Sequence, residues 1–153
     1  MLIWGVIMKE FITESALETI ELGKKIGKIL KKGDVVLLDG DLSAGKTTLT
    51  KGIGISLGVK RVINSPTFTI VKDYSGDIRL YHLDLYRLNG INNDFDLEEY
   101  IESDGVCVIE WPNQVSELIP NDYLKVELFR LDEEKRCIKI TGIGRYVKYE
   151  EML

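Results

Sequence analysis

Cysteine, histidine and proline are scarce in this chain of 153 residues, which contains two cysteines, one histidine and three prolines. Neither Cys107 nor Cys137 has a second cysteine or a histidine near it in the sequence. This spacing excludes a zinc knuckle and a CxxC redox site, and two cysteines are too few for the disulfide framework of a small secreted domain. We therefore expect both cysteines to be buried free thiols.

Long apolar runs, repeats and linkers are also missing. No apolar stretch is long enough to cross a bilayer, and no segment rich in proline, glycine or serine divides the chain. Residues 1–7 are apolar but lack the basic region and the cleavage site of an export signal. We expect one cytoplasmic domain over residues 1–153 without a membrane segment. Residues 1–7 are then an N-terminal extension that is either flexible or non-native. The second alternative arises because Met8 is another candidate start.

Positive charge is not in excess. The chain has 20 lysines and arginines against 25 aspartates and glutamates, so its net charge at pH 7 is −5. This balance argues against broad electrostatic capture of nucleic acid. Apolar residues make up 44% of the chain, which is an ordinary value for a globular protein and excludes intrinsic disorder.

Local patterns predict a domain in which helices and strands alternate. Ser15, with Glu18 three residues later, is a capping-box pattern ahead of an amphipathic helix that Gly33 can end. The predicted strands cover residues 9–12, 34–39, 67–74, 79–85, 105–110, 123–131 and 136–141, and further helices cover residues 45–57 and 95–102. Residues 146–153 either pack as a short helix or extend freely. We expect an α/β domain with a mixed, mostly parallel central sheet flanked by helices.

The strongest motif is a phosphate loop. Residues 40–47, the phosphate-loop motif, match G-x-x-x-x-G-K-[ST] at every fixed position, between a predicted strand and a predicted helix. In such loops backbone N–H groups bind phosphate oxygens, the lysine reaches the β- and γ-phosphates, and the hydroxyl binds Mg²⁺. We therefore predict a single-domain P-loop NTPase fold. The predicted nucleotide-binding residues in this region are Gly40, Asp41, Leu42, Ser43, Ala44, Gly45, Lys46, Thr47 and Thr48.

The sequence identifies the bound nucleotide and the acidic residues that act on it less directly than it identifies the phosphate loop. The N-K-x-D signature that many GTPases use to bind guanine is absent, which favours ATP over GTP. Phosphoryl transfer also needs carboxylates at the C-terminal ends of strands beside the loop. Asp84 and Glu110 both follow predicted strands and qualify. On spacing alone, each is alternatively a surface carboxylate at a strand end.

Four segments in this order and spacing resemble the bacterial TsaE family, also called YjeE. They are the phosphate-loop motif, Ser65-Pro-Thr-Phe68, His82-x-Asp-x-Tyr-Arg87 and the pair Glu110-Trp111. The resemblance extends from about residue 13 to residue 111. It implies a Mg²⁺-dependent ATPase required for threonylcarbamoyladenosine, a modification beside the anticodon of tRNA. In that family the protein acts with TsaB and TsaD, which implies slow hydrolysis alone and an indirect contact with tRNA.

The resemblance also implies roles for individual residues. Asp84 would help Thr47 to hold Mg²⁺, and Glu110 would be the water-activating or metal-linked acid. Thr67 would lie in a nucleotide-responsive loop, and Trp111 would lie next to the nucleotide. Glu110 and Lys46 are then the candidate catalytic residues, with ATP and Mg²⁺ as the bound cofactors.

The chain departs from the family pattern at two positions. Members commonly have glycine where Ser43 stands and an acidic residue where Asn113 stands. Because position 43 is free in the general motif, we expect Ser43 to preserve binding while altering the loop conformation near the phosphates. His82 is expected to orient Asp84 or the nucleotide rather than to act as a catalyst.

Two other functions fit a compact domain with one phosphate loop. A small-molecule kinase would need a phosphate acceptor and several arginines that close over it. The arginines are scattered along the sequence without a lid cluster; they are Arg61, Arg79, Arg87, Arg130, Arg136 and Arg145. A nucleotide-dependent scaffold would bind ATP without useful turnover, and replacement of Glu110 would separate it from an ATPase.

Overall fold

The computed structural model of the chain describes residues 2–3, 6–41, 43–64, 71–85, 97–110 and 119–153. In these ranges the strands are β1 (Leu2–Ile3), β2 (Val6–Thr13), β3 (Val35–Asp39), β4 (Val71–Tyr74), β5 (Leu80–Asp84), β6 (Val106–Glu110), β7 (Tyr123–Arg130) and β8 (Arg136–Ile143). The helices are α1 (Ala16–Ile29), α2 (Lys46–Ser56), α3 (Leu97–Ile101) and α4 (Val147–Glu151), and a turn of 3₁₀ helix (Gly144–Tyr146) precedes α4. Each predicted strand and helix is present in the structure wherever its residues are described.

One sheet contains the eight described strands in the order β1-β2-β8-β7-β3-β6-β5-β4. Strand β3 pairs in parallel with β6 and β7, and β5 pairs in parallel with β6. The pairs toward the two edges, which join β1, β2, β8 and β7 on one side and β4 and β5 on the other, are antiparallel. The predicted α/β fold with a mixed sheet is therefore confirmed, and the parallel strands form its centre.

The central strand β3 is buried on both faces of the sheet. Val36 and Leu38 belong to a hydrophobic cluster with residues of α1 and α2, whereas Val35 and Leu37 belong to a second cluster that includes Leu97 of α3. Successive side chains of a strand point to opposite faces, so both faces of β3 need apolar residues. This explains why its sequence is a continuous apolar run without alternation.

Helix α1 begins with the predicted capping interaction. The Ser15 hydroxyl accepts a hydrogen bond from the backbone N–H of Glu18 (3.1 Å). The Glu18 carboxylate accepts one from the backbone N–H of Glu14 (3.0 Å), one residue before the position that a capping box predicts. The helix ends at Ile29, so Gly33 lies in the turn that follows and does not itself end the helix.

Helices α1 and α2 contact each other through their backbones. A Cβ atom on Gly23 of α1 would collide with the carbonyl oxygen of Leu49 in α2. A Cβ atom on Gly52 of α2 would collide with the carbonyl oxygen of Ile20 in α1. Any larger residue at either position would push the helices apart. The helix that follows the phosphate-loop motif is therefore packed directly on α1.

Both cysteines are buried free thiols, as predicted. Burial raises the pKa of Cys107 to about 12, so this thiol is protonated and unreactive near neutral pH. Burial also raises the pKa of Cys137. These thiols fill space in the domain and supply no nucleophile.

The N-terminal residues form a short antiparallel ladder at one edge of the sheet. The backbone of Leu2–Ile3 pairs with that of residues 6–7. The choice between Met1 and Met8 as the native start stays a prediction. Among the described helices, none combines the length and the apolar character that crossing a membrane requires.

The C-terminal segment packs against the start of β3. The Asp34 carboxylate, which is 1% exposed, accepts a hydrogen bond from the Tyr149 hydroxyl (2.7 Å) and pairs with Arg145 (3.1 Å). The Tyr146 hydroxyl accepts a hydrogen bond from the backbone N–H of Val35 (2.8 Å). Of the two alternatives for the C-terminus, a packed short helix is the one observed. It anchors the end of β3 that lies opposite the phosphate-loop motif.

We expect Tyr149→Phe to lower the free energy of unfolding by about 1–3 kcal/mol, because it removes a hydrogen bond to a buried carboxylate. Urea unfolding followed by circular dichroism measures this loss. Tyr123→Phe is a suitable control, because Tyr123 is half-buried and its hydroxyl has no hydrogen-bond partner among the described residues. The control should change stability by less than about 0.5 kcal/mol. Equal losses in the two variants would contradict the importance of the Asp34 contact.

Candidate functional site

The carboxyl ends of three neighbouring parallel strands, β3, β6 and β5, meet at one end of the sheet. Strand β3 leads into the phosphate-loop motif, β6 ends at Glu110, and β5 ends at Asp84. Asp84 is the direct partner of Glu110 in the strand register, so the two residues lie side by side. Both side chains are largely buried, because only 9% of Asp84 and 5% of Glu110 is exposed. This end of an α/β sheet is where ligands commonly bind.

The phosphate-loop motif turns from β3 into α2 through a left-handed glycine. Gly45 has a φ of +105°, which glycine adopts without steric cost, and α2 begins at Lys46. No side chain in the described ranges caps this helix, and a helix N-terminus is a place where anions commonly bind. Thr47 and Thr48 follow in that turn and are partly exposed.

Three predicted nucleotide contacts, Leu42, Thr67 and Trp111, lie outside the described residues. The segments 65–70, 86–96 and 111–118 also lie outside them, and they include Arg87 and Asn113. The roles assigned to these residues stay predictions.

Three polar side chains form a continuous set of contacts beside the motif. The Nζ atom of Lys46 lies 3.3 Å from Oε1 of Glu110, and Nε2 of His82 lies 2.9 Å from Oε2 of Glu110. His82 is fully buried. Sequence reasoning assigns His82 to Asp84 or to the nucleotide, whereas the structure places its ring on Glu110. Glu110 therefore connects the lysine of the motif to the only histidine of the chain.

Opposing effects set the ionisation of Glu110. Burial raises the pKa of its carboxyl group, because a charge is costly away from water. The hydrogen bond and charge of His82, together with Lys46, outweigh burial and bring the pKa below its ordinary value. Glu110 is therefore ionised at neutral pH. An ionised carboxylate in this position is able to accept a proton or to bind a cation.

Residues that carry the oxygen donors preferred by magnesium lie at this end of the sheet. Thr47 offers a hydroxyl group, and Asp84 and Glu110 offer two neighbouring carboxylates. Magnesium binds proteins through one or two carboxylates and completes its shell with water and substrate phosphates. Within the described ranges, no group of three or more His, Cys, Asp or Glu side chains could hold a metal ion. Thr47, Asp84 and Glu110 are donors of the kind that magnesium uses together with a phosphate ligand.

Two arginines that sequence reasoning leaves scattered come together at the motif. The Nη2 atom of Arg136 donates to the backbone carbonyl of Ser43 (3.2 Å), and Nη1 of Arg130 donates to the Ser43 hydroxyl (3.4 Å). These arginines are direct partners in the register of the β7–β8 hairpin. The hairpin pattern in the sequence predicts that pairing. Their contact with the motif depends in addition on the parallel pairing of β7 with β3.

Ser43 adopts a backbone conformation that disfavours side chains. Its φ of +71° is the only positive φ of a non-glycine residue in the described ranges. The left-handed conformation costs such a residue about 1–2 kcal/mol, whereas a glycine would adopt it without this cost. The hydrogen bonds from Arg130 and Arg136 help to hold Ser43 in place. That Ser43 alters the loop conformation near the phosphates stays a prediction.

Two openings flank the phosphate-loop motif. One, of about 330 Å³, is lined by residues 39–41, Ala44 and residues 127–130 of β7. The other, of about 160 Å³, is lined by Gly45, Thr48 and Arg136 together with residues of α1 and the β7–β8 turn. The β7–β8 hairpin therefore forms a wall of both openings.

Comparisons with known proteins agree on a family. A family model described as "Threonylcarbamoyl adenosine biosynthesis protein TsaE" matches residues 13–138. The chain is similar to the tRNA threonylcarbamoyladenosine biosynthesis protein TsaE of Bacillus subtilis, with 42% identity over 134 residues that cover 87% of this chain and 84% of that protein. It is similar to the protein of the same name from Treponema pallidum, with 39% identity over 132 residues that cover 85% of this chain and 98% of that one. The crystal structure of Bacillus subtilis YdiB superposes with a TM-score of 0.82 at 37% identity and covers 96% of this chain and 95% of that chain.

We expect the wild type to gain stability relative to Glu110→Gln as the pH rises through the ordinary carboxyl range. The folded state lowers the pKa of Glu110, so its stabilising contribution is complete above the unfolded pKa and is lost as the pH falls through the folded pKa. Each unit by which the pKa is lowered corresponds to about 1.4 kcal/mol.

Urea unfolding of both proteins between about pH 3 and pH 7 measures this dependence. Glu133→Gln, which replaces an exposed carboxylate on the β7–β8 turn, serves as the control and should differ little from the wild type across that range. A relative stability of the wild type that falls with rising pH would contradict a lowered pKa for Glu110.

Proposed function

The chain belongs to the TsaE family and has a role in tRNA threonylcarbamoyladenosine biosynthesis, and on this premise we propose that it is a Mg²⁺-dependent ATPase. Its hydrolysis of ATP supports transfer of the threonylcarbamoyl group to the adenosine beside the anticodon. It acts in the cytoplasm in a complex with TsaB and TsaD, and it turns over slowly on its own.

The observation that carries this proposal is the contact of 3.3 Å between Lys46 and Glu110. Phosphoryl-transfer sites combine a phosphate-loop lysine with an acid at the end of a neighbouring strand. Here both groups are present, and the acid is ionised because His82 and Lys46 lower its pKa. A buried, ionised carboxylate beside the lysine is able to accept a proton from water, which hydrolysis needs and binding alone does not. This pairing supports hydrolysis in addition to binding.

The proposed reaction uses Glu110 as the base. The oxygen of a water molecule attacks the γ-phosphorus of ATP, and the bond from that phosphorus to the β–γ bridging oxygen breaks. Glu110 accepts the proton that the water loses, so the products are ADP and inorganic phosphate. Thr47 and Asp84 would hold Mg²⁺, which supplies positive charge against the phosphates, and Glu110 would be a further ligand in the alternative in which it is metal-linked instead of the base. Lys46 must share or give up its contact with Glu110 in order to bind the phosphate oxygens.

The β7–β8 hairpin adds positive charge on the other side of the motif. Arg130 and Arg136 contact Ser43, and neither forms an ion pair with a carboxylate in the described part of the chain. Two guanidinium groups held mainly by carbonyl and hydroxyl oxygens retain charge that a polyanionic ligand can neutralise. This arrangement supports a phosphate-rich ligand at the motif.

The contact with tRNA is proposed to be indirect. Nucleic-acid binding depends mainly on positive charge that neutralises phosphates, and this chain has a net charge of −5 at pH 7. TsaB and TsaD would therefore supply the surface that holds tRNA, while this chain supplies ATP hydrolysis.

We expect Lys46→Ala to weaken binding of Mg-ATP by about 10- to 100-fold, because it removes a charged hydrogen bond to phosphate. Titration with a fluorescent ATP analogue measures the dissociation constant. Lys51→Ala is the matched control, since Lys51 lies on the same helix and is exposed. Equal affinity with and without Lys46 would contradict nucleotide binding at the motif.

Phosphate release from Mg-ATP tests the function itself. We expect slow release by the chain alone and a rise when TsaB, TsaD and tRNA are added, with Lys46→Ala as the blank. Glu110→Gln should abolish the rise, because glutamine cannot accept the proton. Unchanged release on adding the partners, with the phosphate appearing instead on a small metabolite, would favour a kinase.

A further inference from the structure

His82 is a polar side chain in an apolar part of the sheet. It lies in the middle of β5, with Lys72 of β4 and Val108 of β6 as its direct strand partners. No part of it is exposed, and two leucines of the same strand, Leu80 and Leu83, are equally buried. An aliphatic residue would suit such a position if packing were its only task. The presence of an imidazole therefore needs a polar reason.

That reason is the contact with Glu110. The Nε2 atom of His82 lies 2.9 Å from Oε2 of Glu110. Because an ionised carboxylate can only accept hydrogen bonds, Nε2 is the donor. The other ring nitrogen, Nδ1, has no hydrogen-bond partner among the described residues. Within these ranges, the polar interaction of the His82 ring is thus directed at one oxygen of one carboxylate.

The two oxygens of Glu110 have different partners. His82 holds Oε2, whereas Oε1 faces Lys46 at 3.3 Å. A carboxylate held at one oxygen by a side chain from a central strand has little freedom to rotate. The other oxygen, Oε1, is then presented on the side of Lys46 and the phosphate-loop motif. Without His82 the buried Oε2 would lose its donor, and the carboxylate would turn to find another.

We propose that His82 is a positioning residue for ATP hydrolysis, which holds Oε2 of Glu110 so that Oε1 is presented toward the phosphate-loop motif. This inference rests on the proposed function, because it requires Glu110 to act on ATP. His82 does not touch ATP and exchanges no proton with it. Its effect is carried entirely by the orientation of Glu110.

Two substitutions separate positioning from packing. His82→Leu fills the space without a hydrogen-bond donor, whereas His82→Gln keeps an N–H group near the position of Nε2. Phosphate release is measured with Mg-ATP, TsaB, TsaD and tRNA. We expect His82→Leu to lower kcat by about 10- to 100-fold while KM for ATP changes by less than about twofold. His82→Gln should recover a substantial part of kcat.

Three kinetic outcomes would overturn the inference. They are an unchanged kcat in His82→Leu, an equal loss in both variants, and a loss that appears as a higher KM with kcat preserved. Thermal unfolding of each variant accompanies the kinetics, so that a loss caused by unfolding is recognised. If His82→Leu does not fold, the comparison of His82→Gln with the wild type is combined with the spectroscopic test below.

The chain contains one histidine, which makes its ring a natural spectroscopic probe. In ¹⁵N-labelled protein the imidazole nitrogen signals belong to His82 alone. We expect the Nε2 signal to shift in Glu110→Ala and to stay close to its wild-type position in Asp84→Asn. A shift in Asp84→Asn without one in Glu110→Ala would assign His82 to Asp84 and overturn the inference. This test needs neither nucleotide nor turnover.

The outcomes distinguish this inference from the proposed function. If the wild type hydrolyses ATP with its partners and His82→Leu matches it, the positioning role fails while the ATPase stands. If the wild type releases no phosphate under any of these conditions, the proposed function fails. The positioning role then fails with it, even where the ring signal depends on Glu110.

Discussion

A carboxylate buried at the end of a central strand needs partners, and Glu110 obtains them from two elements that are distant in sequence. Parallel pairing of β6 with β5 places it near His82, and pairing of β6 with β3 places it near the loop that carries Lys46. The register matters as much as the strand order. A shift of one residue would turn Glu110 to the opposite face of the sheet, where neither partner is available. The chemistry proposed for this end of the sheet therefore depends on how three strands pair.

Local sequence patterns were sufficient for the elements and for the central motif. The apolar run of β3, the Ser15 cap and the glycine-lysine loop each depend on interactions within a few residues, so their patterns predict them directly. The contact between His82 and Glu110 joins residues on different strands, and no local pattern encodes it. The same holds for Arg136, whose approach to Ser43 requires β7 to lie beside β3. What sequence reasoning missed was tertiary placement.

The net charge of the chain is negative, whereas positive side chains gather at the phosphate-loop motif. The net charge of −5 argues against a broad basic surface, yet Lys46, Arg130 and Arg136 all lie at one loop. A phosphate group responds mainly to charges within about 8 Å at physiological salt, so the distant acidic residues weaken its binding little. The acidic composition is thus compatible with a compact site for a polyphosphate. The negative net charge disfavours extended contacts with nucleic acid but has little effect on the binding of a short anionic ligand.

The backbone contact between Gly23 and Gly52 has a mechanical consequence. Helices usually meet through side chains, which can change rotamer and absorb small displacements. Here the two main chains touch, so rotamer changes at this contact cannot absorb a shift of α2 toward α1. A displacement of α2 toward α1 is therefore passed on to α1. A movement that begins at a phosphate would thereby reach the opposite surface of α1, far from any group that the ligand itself could touch.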